Sequence, residues 1–281
     1  MGKFSGILLA SDFDHTMTDF CDRLPERNLG AIRYFIREGG RFCIASGRSI
    51  PMLRGQIGTV PVNAPCITYN GAVCYDYDRD TMFFCRPLPE QAESLRSALL
   101  ERFDGLHLEV QTQSTHYCYG PDEDRDEYLQ KSGVPFVYDV PVPPGPWLKM
   151  AIYGKRRGDH YDPPGSVPSE ELAIFDEIER FAKEFSAGWC SVTRSMQRVV
   201  EIWAAGCNKG STARELAVRL GCPVLACIGD APNDLGLLRA ADFAFCPSDC
   251  DPRIAAEGFC KTVPCAQGAV AAAIGQLEHL L

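Results

Sequence analysis

Three short apolar runs in this chain each end on residues that carry chemistry, and that pattern restricts the fold more than any other feature. Ile7-Leu8-Leu9-Ala10 leads into Asp12-Phe13-Asp14-His15-Thr16. The run at residues 41–45 stops at Ser46-Gly47-Arg48, and the run at 223–228 stops at Gly229-Asp230-Ala231-Pro232-Asn233-Asp234. Short continuous apolar runs bounded by polar residues read as strands buried on both faces, as in a parallel sheet between helices. Ligands of such sheets bind beyond the carboxyl ends of the strands, where all three clusters fall. Side chains two apart on a strand point the same way, so Asp12 and Asp14 can address one spot. Two such carboxylates repel unless a cation neutralises them or one keeps a proton.

The segments between the runs fit strand–helix alternation. Residues 28–38 carry Leu29, Ile32, Phe35 and Ile36 on one helical face, and Gly39-Gly40 ends the helix. Ser49 suits the N-cap of a short helix with Pro51 in its first turn. Asn70-Gly71 is a turn dipeptide between strand-like residues 66–69 and 72–75. From about residue 81 to 198 the pattern changes to short strands, two helices (89–103 and 169–185) and proline-rich loops at 141–147 and 163–168. Alternation is expected to resume at 198–203, followed by a helix at 209–220, the strand at 223–228, a helix near 234–240, a strand at 243–246 and a closing helix at 268–281. The expected fold class is α/β: a Rossmann-like doubly wound parallel-sheet core (residues 1–80 and 199–281) with an inserted α+β cap domain at 81–198.

With Asn208-Lys209-Gly210 opening the helix after the insertion, four motifs stand in order between Asp12 and Asp234. In this the chain resembles the haloacid dehalogenase superfamily of aspartyl-nucleophile phosphotransferases, and within it the Cof-type sugar-phosphatase branch with a large α/β cap. The resemblance covers both ends of the chain well and the middle poorly. It implies a Mg²⁺-dependent phosphatase that hydrolyses a small phosphorylated metabolite, a sugar phosphate above all, through an aspartyl-phosphate. A phosphomutase on the same scaffold, or a phosphate- or metal-sensing protein without turnover, are the alternatives.

Under that resemblance Asp12 is the nucleophile and Asp14 the general acid and base. Ser46, Gly47, Lys209 and Asn233 bind the phosphoryl group. Asp12, the backbone carbonyl of Asp14, Asp230 and Asp234 hold Mg²⁺, whose preference for hard oxygen ligands suits carboxylates. Each residue has a plainer reading: Asp12 and Asp230 as helix caps, Thr16 as a turn hydroxyl, Ser46-Gly47-Arg48 as a turn, Lys209 as a solvated side chain. A lysine at a helix start opposes the dipole, so something anionic should compensate it. His15 replaces the usual glycine, and histidine tolerates a left-handed backbone better than most residues. Arg48 could bind phosphate or brace a carboxylate. In the cap, Arg194, Arg198, Lys149, His116, Tyr117 and Trp147 are possible substrate contacts, none singled out.

Composition narrows the remaining classes. The 281 residues are 46% hydrophobic and 23% charged, with a net charge of −9. That balance argues against a nucleic-acid-binding surface, which needs a basic stripe. No apolar stretch reaches the ~18 residues of a membrane span, and the N-terminal residues do not read as a signal peptide. Fourteen cysteines raise the question of disulfides or zinc. Several sit within strand runs (Cys43, Cys66, Cys227) as small buried hydrophobes, and no Cys-x-x-Cys pair occurs, so free thiols in a reducing cytoplasm are expected. Partners are limited to a small phosphorylated metabolite, the protein being a monomer or homodimer.

Overall fold

A computed structural model of the chain describes residues 2–154 and 167–281. Of the expected proline-rich loop at 163–168, residues 163–166 lie outside the described residues. In chain order the elements begin with β1 (Ile7–Ser11), α1 (Glu26–Arg37), β2 (Arg41–Ile44), α2 (Ile50–Arg54), β3 (Cys66–Thr68), β4 (Val73–Asp76) and β5 (Thr81–Cys85). They continue with α3 (Ala92–Arg102), β6 (His107–Gln111), β7 (His116–Tyr119), α4 (Glu123–Lys131), β8 (Phe136–Tyr138), β9 (Lys149–Tyr153), α5 (Ser169–Ser186), β10 (Cys190–Met196) and β11 (Val199–Ala204). The last group is α6 (Lys209–Arg219), β12 (Val224–Ile228), α7 (Leu235–Ala240), β13 (Phe243–Cys246), α8 (Pro252–Ala255), β14 (Cys260–Lys261) and α9 (Ala269–Leu280).

Two units divide the chain. The first comprises Met1–Arg48, Gln56–Cys85 and Cys207–Leu281. Its main sheet is parallel throughout, in the order β14-β13-β12-β1-β2. All five residues of β1 are buried, so both sheet faces are covered, as a continuous apolar run requires. Helices α1 and α9 pack together, as do α6 and α7. Strand order runs outward from β1 in both directions, to β2 on one side and to β12 on the other, which places the switch point of the sheet at the carboxyl end of β1. A small antiparallel sheet, β3-β4-β5, joins the main one through a parallel bridge from Ile67 to Ala45.

The second unit comprises Ser49–Gly55 and Arg86–Gly206. Its six-stranded sheet has the order β10-β11-β9-β6-β7-β8. Alternate residues Leu108, Val110, Met150, Ile152, Val200 and Ile202 form one apolar face, which packs against Leu95 and Leu99 of α3 and Ile178 and Ala182 of α5. The intervening positions include the buried polar residues Glu109, Gln111, Lys149 and Glu201 beside a small apolar cluster of Ala151, Tyr153 and Val199. The architecture is therefore a parallel α/β core with a separate α+β sheet domain. Two strands fall on the other side of the limits expected at residues 81 and 198. β5 pairs with β4 in the first unit, and Val199–Ala204, expected to reopen the core, lies between β10 and β9 in the second. Local pattern identifies a strand but not the sheet that receives it.

Among the described residues no helix is long and apolar enough to cross a membrane. All fourteen cysteines are free thiols, as expected.

Candidate active site

Parallel register brings three of the four motifs side by side. Ser11 at the end of β1 is opposite Ile228 of β12 and Ile44 of β2. Asp12 continues this ladder by donating its backbone N–H to the Ile228 carbonyl (2.9 Å), and Ala45 donates to the Ser11 carbonyl (2.7 Å). Asp12, Ser46 and the Gly229-Asp230 turn thus leave neighbouring strands at the same end of the sheet. The fourth motif arrives at the start of α6. Asn208 caps that helix, its Oδ1 accepting from the N–H groups of Gly210 (2.8 Å) and Ser211 (2.9 Å).

Lys209 follows the cap and is buried in the company of carboxylates. Its Nζ donates to Asp12 Oδ1 at 2.6 Å and to Asp234 Oδ1 at 2.7 Å. These are the anions that the unfavourable dipole position required. Burial works against its charge, but Asp12 and Asp234 outweigh it and raise the ammonium pKa above its ordinary value. The other oxygen of Asp234 accepts from the N–H groups of Asp230 (3.2 Å) and Ala231 (3.1 Å), so this side chain also ties down the loop that carries Asp230. Asp230 accepts from the Thr16 hydroxyl at 2.6 Å. Thr16 therefore does more than close a turn.

Carboxylate oxygens of Asp12, Asp230 and Asp234 lie within 4.8 Å of one another, all three residues buried. One ammonium faces these three acids. Burial first and mutual repulsion second push the Asp12 and Asp230 carboxyls above their ordinary range. A buried, all-oxygen donor set with surplus negative charge fits a hard divalent cation such as Mg²⁺ better than a thiolate- or imidazole-loving metal. Asp12 and Asp230 are the freer donors, because both oxygens of Asp234 are engaged.

Asp14 does not join that group. Its carboxylate is gripped by Arg48, with Nη2 at 2.6 Å and Nε at 3.2 and 3.1 Å from the two oxygens. Burial favours the neutral acid, yet the Arg48 charge prevails and holds the carboxyl below its usual value. The Arg48 guanidinium also lies 4.9 Å from the centre of the Phe13 ring. Of the two sequence readings of Arg48, the structure shows the brace. Ser46, buried, accepts from the Arg48 N–H (3.1 Å) across Gly47, which leaves its hydroxyl hydrogen to donate elsewhere. His15 adopts a φ of 60° and its ring lies 4.8 Å from Phe20, in line with the left-handed backbone that the usual glycine implies. Asn233 donates to Asn70 Oδ1 at 3.4 Å, while its own Oδ1 is buried with no protein partner.

The second unit holds two constellations that resemble sites. Ser49 Oγ, His116 and Glu109 are spaced like a hydrolytic triad, with Oγ to Nε2 and Nδ1 to Oε2 both 2.9 Å. All three are fully buried, Ser49 is occupied as the N-cap of α2, and Glu109 is paired with Arg125 (Nε to Oε1 2.5 Å). No substrate reaches such a serine. His107, Glu109 and Cys118 could also surround a metal, but Glu109 already receives hydrogen bonds from Arg125, His116 and Gln111, and burial raises the Cys118 thiol pKa. Both groupings are ionic packing. Of the cap residues considered from sequence, Lys149 is paired with Glu201 (2.5 Å) and Trp147 belongs to the apolar core of the unit.

A family model for haloacid dehalogenase-like hydrolases matches residues 9–140 and 168–274. The chain belongs to this family. It is therefore a hydrolase, and the resemblance carried by Asp12, Ser46, Lys209 and Asp230 extends through the inserted unit, where sequence motifs were sparse. An HMP-PP phosphatase of Klebsiella pneumoniae (strain 342) is 24% identical over 263 residues, covering 89% of this chain and 87% of that protein. Among solved structures, a haloacid dehalogenase-like hydrolase from Bacteroides thetaiotaomicron superposes with a TM-score of 0.79 at 16% identity, covering 98% of this chain and 99% of the other. The subclass IIB sugar phosphatase BT4131 gives 0.76 at 17% identity, over 96% and 98%. These likenesses establish the core-plus-cap fold.

Proposed function

We propose that this haloacid dehalogenase-like hydrolase is a Mg²⁺-dependent phosphatase of the reducing cytoplasm that cleaves a small phosphorylated metabolite, a sugar phosphate by preference, through an aspartyl-phosphate at Asp12. The observation that carries the reading is the Lys209 ammonium lying between Asp12 and Asp234, with Asp230 completing a cluster of carboxylates. Such a cluster is suited to phosphoryl transfer, where catalysis is positioning and charge neutralisation. Mg²⁺ would be held by Asp12, Asp230, the backbone carbonyl of Asp14 and, directly or through water, Asp234. Bound there, it would neutralise the acids and draw charge from the phosphoryl oxygens.

The remaining chemistry belongs to side chains. Asp12 uses its oxygen to attack phosphorus, splitting hydrolysis into two displacements. Lys209 keeps Asp12 oriented and presents positive charge to the incoming phosphoryl oxygens. Ser46 donates its hydroxyl hydrogen to one of those oxygens, with Gly47 allowing close approach, and Asn233 offers its amide. Asp14, held as a carboxylate by Arg48, is prepared to take a proton from the water that opens the aspartyl-phosphate. To protonate the leaving oxygen in the first half-reaction it must loosen its Arg48 contacts and carry a proton. The unpartnered Asn233 oxygen supports a hydroxylated leaving group, which brings a donor that a bare phosphate dianion lacks. The Klebsiella relative is named as a phosphatase, which supports the reading.

The test is a panel of phosphorylated metabolites with Mg²⁺, following inorganic phosphate. Release of phosphate by the wild type, abolished in a folded Asp12→Asn variant, is the expected result. Isomerised product without phosphate release would replace the hydrolase reading with a mutase, and an active Asp12→Asn enzyme would overturn the nucleophile.

A further inference from the structure

One turn in the first unit touches three of the four proposed phosphate-binding residues, and the mechanism above makes no use of it. Tyr69, Asn70 and Gly71 have φ of 50°, 56° and 101° in succession. The Asn70-Gly71 pair is the expected tight turn between β3 and β4, closed by the Ala72 N–H donating to the Tyr69 carbonyl (3.1 Å). Tyr69 is not required to be left-handed by that turn. A fully buried aromatic residue with positive φ is a backbone outlier, and such outliers concentrate where function over-determines the geometry.

The contacts say what holds it there. The N–H groups of Tyr69 and Asn70 donate to the carbonyls of Arg48 (3.1 Å) and Ser46 (3.2 Å), binding the turn to the Ser46 loop. On its other side the Gly71 carbonyl accepts from Thr212 Oγ1 of α6 at 2.7 Å. Gly71 lies so close to the Asn208–Lys209 peptide that a Cβ would stand 2.4 Å from the Asn208 oxygen and 2.7 Å from the Lys209 nitrogen. The Asn70 side-chain oxygen accepts from the Asn233 amide. Ser46, Lys209 and Asn233 come from three distant stretches of chain, and this turn is in contact with each.

We infer that Asn70 is a positioning residue of the phosphoryl site: its left-handed turn fixes the separation of Ser46 from Lys209, and its carboxamide aims Asn233. The inference rests on the phosphatase reading. It requires no contact between Asn70 and the substrate. Asparagine suits the role because it tolerates the left-handed region and brings a carbonyl acceptor to it.

Two variants test it. Asn70→Gly keeps the backbone geometry and removes the carboxamide, and Thr212→Val detaches the Gly71 carbonyl from α6 while keeping side-chain shape. Four quantities are measured for each: melting temperature, kcat and KM for the best phosphate ester of the panel, and the dissociation constant of inorganic phosphate in the presence of Mg²⁺. The expected result for Asn70→Gly is a kcat/KM lower by about ten-fold and weaker phosphate binding, at a melting temperature near that of the wild type. Thr212→Val is expected to lower kcat in the same direction. Wild-type kcat and wild-type phosphate affinity in folded Asn70→Gly would overturn the proposal, as would losses that disappear when the assay is cooled well below the melting temperature. A wild type that binds phosphate yet hydrolyses nothing would sink the phosphatase reading instead, and the phosphate affinities of the variants would still decide the role of Asn70.

Discussion

Lys209 shows how one residue answers two demands. It opens a helix, where the dipole disfavours it, and it is buried, where any lone charge is expensive; two carboxylates at 2.6 and 2.7 Å resolve both. Replacing it with methionine keeps the volume and leaves three buried acids with no ammonium among them. Lys209→Met is expected to lower kcat by roughly 10²–10³-fold, the scale of losing one fixed electrostatic partner of a transition state. It should also make folding more dependent on Mg²⁺. A thermal melt with and without Mg²⁺ checks this: the metal-induced rise in melting temperature should exceed that of the wild type and should vanish in Asp230→Asn. The acids and the lysine of the proposed site were marked in the sequence by strand ends and a helix start, and the structure brings Asp12, Asp230, Asp234 and Lys209 together. Bracing a carboxylate was one of the two readings of Arg48, but that Asp14 is the carboxylate was not legible, since the pair joins residues 34 apart through a loop whose course no local pattern fixes. Nor was Tyr69, whose left-handed φ runs against the preference of every aromatic residue.

At the scale of elements, the same contrast holds. Helices α1 and α5 announce themselves by apolar stripes, but α4 does not: its first five residues, Glu123-Asp124-Arg125-Asp126-Glu127, are all charged. It forms because Asp122 caps it by accepting from the Arg125 N–H (3.0 Å), because acids favour a helix N-terminus, and because Leu129 packs with Cys118 and Val134. Arg125 then reaches Glu109 of β6. Burial opposes the Glu109 charge, but Arg125 and the neighbouring His107 and His116 prevail and hold its carboxyl well below the ordinary 4.5. A depressed carboxyl contributes stability that is complete above its unfolded value and is lost as pH falls through the folded one. Acid unfolding below about pH 4.5 should therefore be driven in part by Glu109. Glu109→Gln strands the Arg125 guanidinium and is expected to destabilise by about 3–5 kcal/mol at neutral pH. Its stability should also vary less with pH in the acid range, read from denaturant melts at stepped pH. A variant as stable as the wild type would contradict the buried ion pair.

For the molecule as a whole, the two-unit plan with a parallel core was visible in the alternation of strand and helix and in its interruption. The limits of the insertion were not, because β5 and β11 look alike in sequence whichever sheet takes them. Fourteen free cysteines distribute by burial: Cys21 and Cys260 are exposed, while burial raises the pKa of Cys43 and Cys227 and pushes Cys66 up to about 12. Only thiolates react quickly. A thiol reagent at neutral pH should thus modify Cys21 and Cys260 first and the core thiols only on unfolding, and reductant should leave the melting temperature unchanged. Rapid labelling of Cys43 or Cys227 in folded protein would contradict the packing of the parallel sheet.

Convergence of the four motifs has one chemical purpose under this account, a covalent bond between phosphorus and an oxygen of Asp12. The direct measurement is to quench the enzyme during turnover of its best substrate, reduce with borohydride and sequence the peptides by mass spectrometry. An acyl phosphate at position 12 is reduced to homoserine, which is expected there in the wild type and not in Asp12→Asn. Steady hydrolysis with an unmodified Asp12, or homoserine at another aspartate, would contradict it.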